Sequence, residues 1–169
     1  DSRSHTAPFG PPTIDGRPRF DMGAEHCAEA PALRRVNNPA EVSDAYLEVM
    51  RDAPMVDMVA DLIGPNVKYH HCKLNVKLPG ATTRVHYHQD FMYTPHSNDD
   101  VVTALLMLED VDDANGCLMV APGSHRGALD SLFQDGVFTG MVAADRAEEL
   151  QAMEIPATGK AGSGCLMHT

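Results

Sequence analysis

The sequence predicts a mainly β domain in which two helices precede several short antiparallel strands. Polar and apolar residues alternate after Gly64, turn dipeptides recur along the second half, and two helical patterns come before Gly64. Short strands separated by turn signals are typical of an antiparallel barrel or jelly roll. With 169 residues, the chain is long enough for one domain with a substantial core.

Residues 1–38 predict an arm or lid without regular structure, because prolines interrupt them and no hydrophobic period is clear. Residues 39–169 are then expected to form the barrel domain with its two leading helices. Asn38 as N-cap, Pro39 at the first helical position and Glu41 at the third predict where the first helix starts. Its expected inner face comprises Ala45, Tyr46 and Val49.

The second helix is predicted from Pro54 to the Gly64-Pro65 dipeptide, which ends it. Its apolar side chains have helical spacing: Val56, Val59, Ala60 and Ile63. The predicted strands are 73–78, 82–91, 101–108, 117–121, 153–155 and 164–168. A hairpin turn is expected at 113–116, another turn at 122–125 and a short helix near 146–151.

Composition excludes several classes of partner. The formal net charge of −11 argues against binding to nucleic acid or to an anionic membrane, since both need clustered Lys and Arg. No apolar run approaches the roughly 20 residues that span a bilayer. The four cysteines are widely separated and contain no C-x-x-C pair, which favours free thiols and a cytoplasmic protein.

The most informative motif is the triplet His88-Gln89-Asp90. On an extended strand, residues two apart point to the same side, so an imidazole and a carboxylate would converge. This is two thirds of the 2-His-1-carboxylate arrangement of non-haem Fe(II) oxygenases. An H-x-D triplet alone is a weak signal, and the predicted strand and the turns around it strengthen the interpretation.

Other polar residues near the triplet have two interpretations each. His86 would either orient the site as a donor or lie at its exposed rim. Lys73, Asn75 and Lys77 would either bind an acidic co-substrate or form the solvated face of an edge strand. The pair His125-Arg126 would either anchor a charged substrate group or belong to a solvated turn.

Four segments taken together resemble the phytanoyl-CoA dioxygenase family: 84–93 around His88-Gln89-Asp90, 108–111, Asn115-Gly116-Cys117-Leu118, and 122–126 with Pro-Gly-Ser-His. The resemblance runs from about Lys73 to Thr169 and implies a double-stranded β-helix, a jelly roll of cupin-like form. It implies Fe(II), with His88 and Asp90 as metal ligands and catalytic residues, and 2-oxoglutarate and dioxygen as co-substrates. Lys73 or Asn75, and Leu105, would contact 2-oxoglutarate.

The implied reaction is hydroxylation of an unactivated C–H bond in a small organic substrate, with decarboxylation of 2-oxoglutarate to succinate. The carboxylate of Asp90 favours hydroxylation over halogenation, because related halogenases leave that position open for chloride. The resemblance does not select the substrate, and the sequence does not fix the oligomeric state.

The resemblance departs from the family pattern near the C-terminus. His168 matches a family histidine that is not an iron ligand, so a strand residue is favoured over a substitute third ligand. The third ligand and the arginine that binds 2-oxoglutarate are expected beyond Thr169. The chain is therefore expected to be a fragment lacking both ends. The alternative function is a non-catalytic cupin-like or degenerate metal-binding barrel.

Overall fold

A computed structural model describes residues 4–5, 7–81 and 84–168. The three α-helices in this part are α1 (Asp44–Asp52), α2 (Pro54–Ile63) and α3 (Ala144–Gln151). The strands are β1 (Phe20–Met22), β2 (Leu33–Asn37), β3 (Lys73–Asn75), β4 (Val102–Leu106), β5 (Leu118–Val120), β6 (Phe133–Gln134), β7 (Val137–Phe138), β8 (Ile155–Ala157) and β9 (Gly164–His168). The expectation of a mainly β fold with helices is confirmed.

The strands pair in small antiparallel sheets. One sheet has the order β1-β2-β3, and the others are the pairs β4-β9, β5-β8 and β6-β7. Within the described ranges these sheets do not close into a barrel. The chain divides into a first unit, Asp1–Met58 with Asn66–Arg84, and a second unit, Val59–Pro65 with Val85–Thr169.

In the first unit, part of the expected irregular arm is a sheet. β1 and β2 lie within residues 1–38, where alternation over so few residues is too short to detect among prolines. The buried Arg19, 3% exposed, joins this region to the next turn. Its Nη1 donates to the carbonyl oxygens of Asn37 and Asn38, and its Nη2 pairs with Glu41 at 2.7 Å. The division at residue 38 stays a prediction.

Asn38 and Pro39 begin a helical turn as predicted, but the turn is a 3-10 helix and the Asn38 side chain does not cap it. Asn38 has a left-handed backbone (φ 44°, ψ 57°), and its side-chain oxygen accepts a hydrogen bond from the Cys72 backbone N–H. Only a 3-10 turn, Pro39–Glu41, follows it, and α1 begins at Asp44. The two side chains of the expected capping box therefore bond to residues distant in sequence. The Asn38 side chain accepts from the Cys72 backbone N–H, and Glu41 accepts from Arg19.

The second predicted helix is confirmed as α2. Its predicted inner residues are its less exposed ones, with Val59 buried, and Gly64 follows the helix with a φ of 97°. On α1 the predicted inner face is only partly correct, because Tyr46 and Val49 are half-buried whereas Ala45 is exposed.

In the second unit, the strands pair with distant partners. The turn at 113–116 forms, with Gly116 at φ 78°, but β4 and β5 do not pair with each other as the hairpin prediction requires. Instead β4 pairs with β9, from Val102 opposite His168 to Leu106 opposite Gly164. The predicted strand at 164–168 has these bounds, whereas strand 153–155 is shifted to Ile155–Ala157.

The core of the second unit is formed by residues that precede β6, follow β7 and lie on α3. Leu132, Val142 and Leu150 are buried together, and Tyr87 and Met92 pack against them. The segment that carries the triplet is therefore anchored on this core at both ends. Cys27, Cys72 and Cys165 are free thiols. Among the described residues, no helix is both long and apolar enough to cross a bilayer.

Candidate metal centre

His88 and Asp90 converge, although neither lies on a strand. Asp90 begins a 3-10 helix, Asp90–Met92, because its carbonyl oxygen accepts hydrogen bonds from the backbone N–H groups of Tyr93 and Thr94. The predicted strand is therefore wrong over residues 84–91, and residues 82 and 83 lie outside the described part. Gln89 keeps an extended backbone (φ −107°, ψ 132°), which places its two neighbours on one side.

The facing atoms of the pair fit a divalent metal ion. Nδ1 of His88 lies 2.6 Å from the backbone carbonyl oxygen of His86. A carbonyl can only accept, so Nδ1 carries a proton, and in the neutral ring Nε2 would be the nitrogen that binds an ion. Nε2 lies 3.2 Å from Oδ1 of Asp90. Two ligands about 2.1 Å from one ion and at right angles to each other are about 3 Å apart, which is close to this separation.

A hydroxyl group contacts the other oxygen of Asp90. Oγ1 of Thr103, on β4, donates to Oδ2 of Asp90 at 2.5 Å. Sequence reasoning missed Thr103. The available signal was its position as the single hydroxyl residue in the apolar run 101–108.

The ring of Tyr93 covers one side of His88. The two rings meet edge to face with centroids 5.2 Å apart, and Tyr93 in turn contacts Phe138 at 5.3 Å. The hydroxyl of Tyr93 donates to the carbonyl oxygen of Gly140 at 2.7 Å. Burial raises the pKa of the Tyr93 phenol, and the nearby carboxylate of Asp90 raises it further.

Gln89 points away from the pair and anchors the loop. Its side-chain oxygen accepts a hydrogen bond of 2.7 Å from the backbone N–H of Asp130. The carbonyl oxygen of Tyr87 accepts another from the N–H of Val142 at 3.0 Å. These bonds hold the triplet against the core of the second unit.

Leu105 and His168 lie on opposite faces of the β4-β9 pair. Leu105 is two residues from Thr103 and therefore shares the face that contacts Asp90. His168 is opposite Val102 and shares the other face, where its ring lies 6.1 Å from that of His125. The expectation that His168 is a strand residue is confirmed, and its exclusion as the third ligand stays a prediction.

Lys73 and Asn75 lie in the first unit, on the edge strand β3, and both are exposed. Nε of Arg35 donates to the side-chain oxygen of Asn75 at 3.2 Å. An exposed edge strand is what the solvated-face alternative expects, and contact of either residue with 2-oxoglutarate stays a prediction. The backbone carbonyl oxygen of His86 contacts Nδ1 of His88, and His86 itself is exposed.

The described residues bring two metal-binding side chains together. Across 4–5, 7–81 and 84–168, no group of three or more His, Cys, Asp and Glu is arranged to hold a metal. A cleft of about 440 Å³ in the second unit lies elsewhere, lined by residues 110–113 and 158–160. His88 and Asp90 are the residues that the triplet predicts as metal ligands. Neither of them lines the cleft.

Comparison with known proteins extends the resemblance to most of the chain. The family model described as Phytanoyl-CoA dioxygenase (PhyH) matches residues 17–169. A probable alpha-ketoglutarate-dependent hypophosphite dioxygenase of Stutzerimonas stutzeri is 38% identical over 97 residues, 57% of this chain and 34% of the relative. An ectoine dioxygenase of Streptomyces anulatus is 30% identical over 102 residues, 57% of this chain and 34% of the relative.

The peroxisomal phytanoyl-CoA dioxygenase of Homo sapiens is 40% identical over 70 residues, which are 39% of this chain and 21% of the human protein. The chain thus spans about a third or less of the length of these curated relatives. The family model covers far more than half of the chain, and its range includes His88, Asp90 and Thr103. The chain belongs to the phytanoyl-CoA dioxygenase family.

Proposed function

We propose that the whole protein is a non-haem Fe(II)- and 2-oxoglutarate-dependent dioxygenase that hydroxylates a C–H bond of a small organic substrate. The observation that carries the proposal is the separation of 3.2 Å between Nε2 of His88 and Oδ1 of Asp90 within a chain of this family. Fe(II) held by His88 and Asp90 would supply the activation of dioxygen, with 2-oxoglutarate as the reductant that is converted to succinate and CO2.

The chain's own residues prepare the pair for the ion. The carbonyl oxygen of His86 keeps the proton of His88 on Nδ1, so that Nε2 can act as a ligand. Asp90 supplies the anionic oxygen, and the ring of Tyr93 contacts the imidazole edge to face. A third protein ligand, the family's distal histidine, would complete the set.

The finer fold and the co-substrate contacts belong to the same proposal. The paired strands are consistent with part of a double-stranded β-helix, whose inward side chains converge near one mouth. Leu105 would form the wall beside 2-oxoglutarate, because it shares the face of Thr103. Lys73 or Asn75 would bind a carboxylate of 2-oxoglutarate. A cytoplasmic location also stays a prediction.

The relatives indicate a small-molecule substrate without selecting one. By their names, they act on hypophosphite, ectoine and phytanoyl-CoA, which differ in size and charge. What these names have in common is a dioxygenase reaction, and the hypophosphite relative is also named as alpha-ketoglutarate-dependent, so the relatives support the reaction class and not a particular substrate.

The test is anaerobic loading of the whole protein with Fe(II), with and without 2-oxoglutarate. We expect the weak visible charge-transfer band of a chelated 2-oxoglutarate complex in the wild type. Asp90→Ala is expected to abolish the turnover of 2-oxoglutarate to succinate, and His88→Ala the band. Gln89→Ala is the matched control, because Gln89 lies between the two ligands and points away from them.

Absence of the band in the wild type, with succinate formation at background, would contradict the oxygenase assignment. That result would leave the alternative of a non-catalytic cupin-like or degenerate metal-binding barrel. Unchanged turnover in Asp90→Ala would contradict the assignment of the site.

A further inference from the structure

We propose that Thr103 is a positioning residue that restricts Asp90 to binding the metal through Oδ1 alone. The inference rests on the proposed function and adds a residue to it. The two carboxylate oxygens of Asp90 have different neighbours: Oδ1 faces Nε2 of His88 at 3.2 Å, and Oδ2 accepts the hydroxyl of Thr103 at 2.5 Å.

The two partners differ in how firmly the chain holds them. Thr103 is inside β4, opposite Met167 of β9, and its branched side chain has restricted rotation about the Cα–Cβ bond. Asp90 begins a single 3-10 turn after an irregular segment. The hydroxyl on the paired strand is therefore held more firmly than the carboxylate, and the hydrogen bond between them orients the carboxylate.

The hydrogen bond has a consequence for the coordination of the ion. A carboxylate that gives both oxygens to one metal occupies two of its six positions. A facial triad leaves three positions open, and a chelating 2-oxoglutarate and dioxygen would together fill them. Because Thr103 engages Oδ2, Asp90 would give the ion one oxygen instead of two, and one more position would remain open for dioxygen.

The hydroxyl also lies on the same face as Leu105, the predicted co-substrate contact. This face of β4 therefore carries the apolar side chain of Leu105 and the hydroxyl of Thr103, which contacts the predicted metal ligand Asp90. An apolar side chain at position 103 would pack on this face equally well, so packing alone does not account for a hydroxyl at this position.

The test compares Thr103→Val, which keeps the branched shape and loses the hydroxyl, with Thr103→Ser, which keeps the hydroxyl. Co(II) is titrated into the whole protein in the presence of 2-oxoglutarate, and the visible spectrum of Co(II) reports the number of its ligands. We expect Thr103→Val to bind Co(II) about tenfold more weakly and with an altered spectrum. Thr103→Ser should remain within about threefold of the wild type, with an unchanged spectrum.

A double-mutant cycle separates positioning from general stability. In an Asp90→Asn background the carboxylate is gone, and Thr103→Val should no longer change Co(II) binding. Circular dichroism and thermal unfolding check that both variants fold. If Thr103→Val does not fold, Thr103→Ala replaces it as the variant without a hydroxyl and is compared with Thr103→Ser.

The outcomes distinguish the two proposals. If the wild type binds Co(II) through His88 and Thr103→Val matches it in affinity and spectrum, the role of Thr103 is refuted while the proposed function stands. If Thr103→Val weakens binding equally in the Asp90→Asn background, Thr103 acts through the fold and the inference is also refuted. If His88→Ala binds Co(II) as well as the wild type, both proposals fail.

Discussion

The hydroxyl of Tyr93 donates a hydrogen bond of 2.7 Å to the carbonyl oxygen of Gly140, and this contact links the loop of the metal pair to the segment after β7. Gly140 has a φ of 71°, in the left-handed region, and a Cβ added to it would collide with the Tyr93 hydroxyl. The residue thus satisfies two requirements that only glycine meets without strain.

Gly140→Ala is therefore expected to lower the free energy of unfolding by about 2 kcal/mol, from backbone strain and from the displaced tyrosine. Urea denaturation of the two proteins measures this difference. Gly136→Ala is the matched control, since Gly136 has a φ of 78° with open space around the added Cβ. Adding Tyr93→Phe to Gly140→Ala should recover part of the loss, and equal losses in the two alanine variants would contradict the role of Tyr93.

Gln89→Ala is expected to lower the free energy of unfolding by about 1 kcal/mol, because the half-buried N–H of Asp130 loses its acceptor. Metal affinity should stay within about twofold of the wild type. Chemical denaturation and Co(II) titration on the same samples make the comparison. A large loss of metal affinity at unchanged stability would show that Gln89 faces the metal after all.

Arg19→Met is expected to destabilise the first unit strongly, by about 3 kcal/mol, because it leaves Glu41 and two backbone carbonyl groups without a buried donor. Arg17→Met removes the same charge from a guanidinium that pairs with Asp15 at the surface, and it should have little effect. Thermal unfolding followed by circular dichroism compares them. Similar melting temperatures for the two variants would refute the importance of Arg19.

The ion pair between Asp110 and Lys160 gives a pH-dependent prediction. Lys160 lies 2.6 Å from Asp110 and lowers the pKa of that carboxyl, and the backbone N–H of Ala161 lowers it further. A lowered pKa in the folded state stabilises the fold above the unfolded value of about 3.9. This contribution disappears as the pH falls through the lower, folded value.

Lys160→Met should therefore be less stable than the wild type at pH 6, and the difference should shrink between about pH 4 and pH 2. Melting temperatures across this range provide the measurement, and Lys68→Met removes one exposed lysine as a control for net charge. A stability difference that is independent of pH would rule out the ion pair as its source.

The sequence predicted those features that depend on local periodicity. α2 and β9 were correct because each carries a clear helical or strand pattern within ten residues. The side-chain cap at Asn38 and the hairpin between β4 and β5 were wrong because distant groups decide both: the Cys72 N–H donates to the Asn38 side chain, and β9 pairs with β4.

The candidate site shows the same division. Two residues of one triplet were enough to predict that His88 and Asp90 converge, because a spacing of two needs only an extended residue between them. Thr103 and Tyr93 were not predicted as parts of the centre. Thr103 reaches it from another strand, and Tyr93 reaches His88 only because a 3-10 turn, instead of an extended strand, follows Gln89.

The pairing of β4 with β9 also sets an order for how the centre is assembled. The residue pair Leu105 and Cys165 is far apart in sequence, and closing such a long loop is slow compared with forming a local turn. During synthesis, the triplet emerges from the ribosome well before β9. Thr103 gains its fixed place only when that strand docks, so a nascent chain would hold two metal-binding side chains before it holds the hydroxyl that orients one of them.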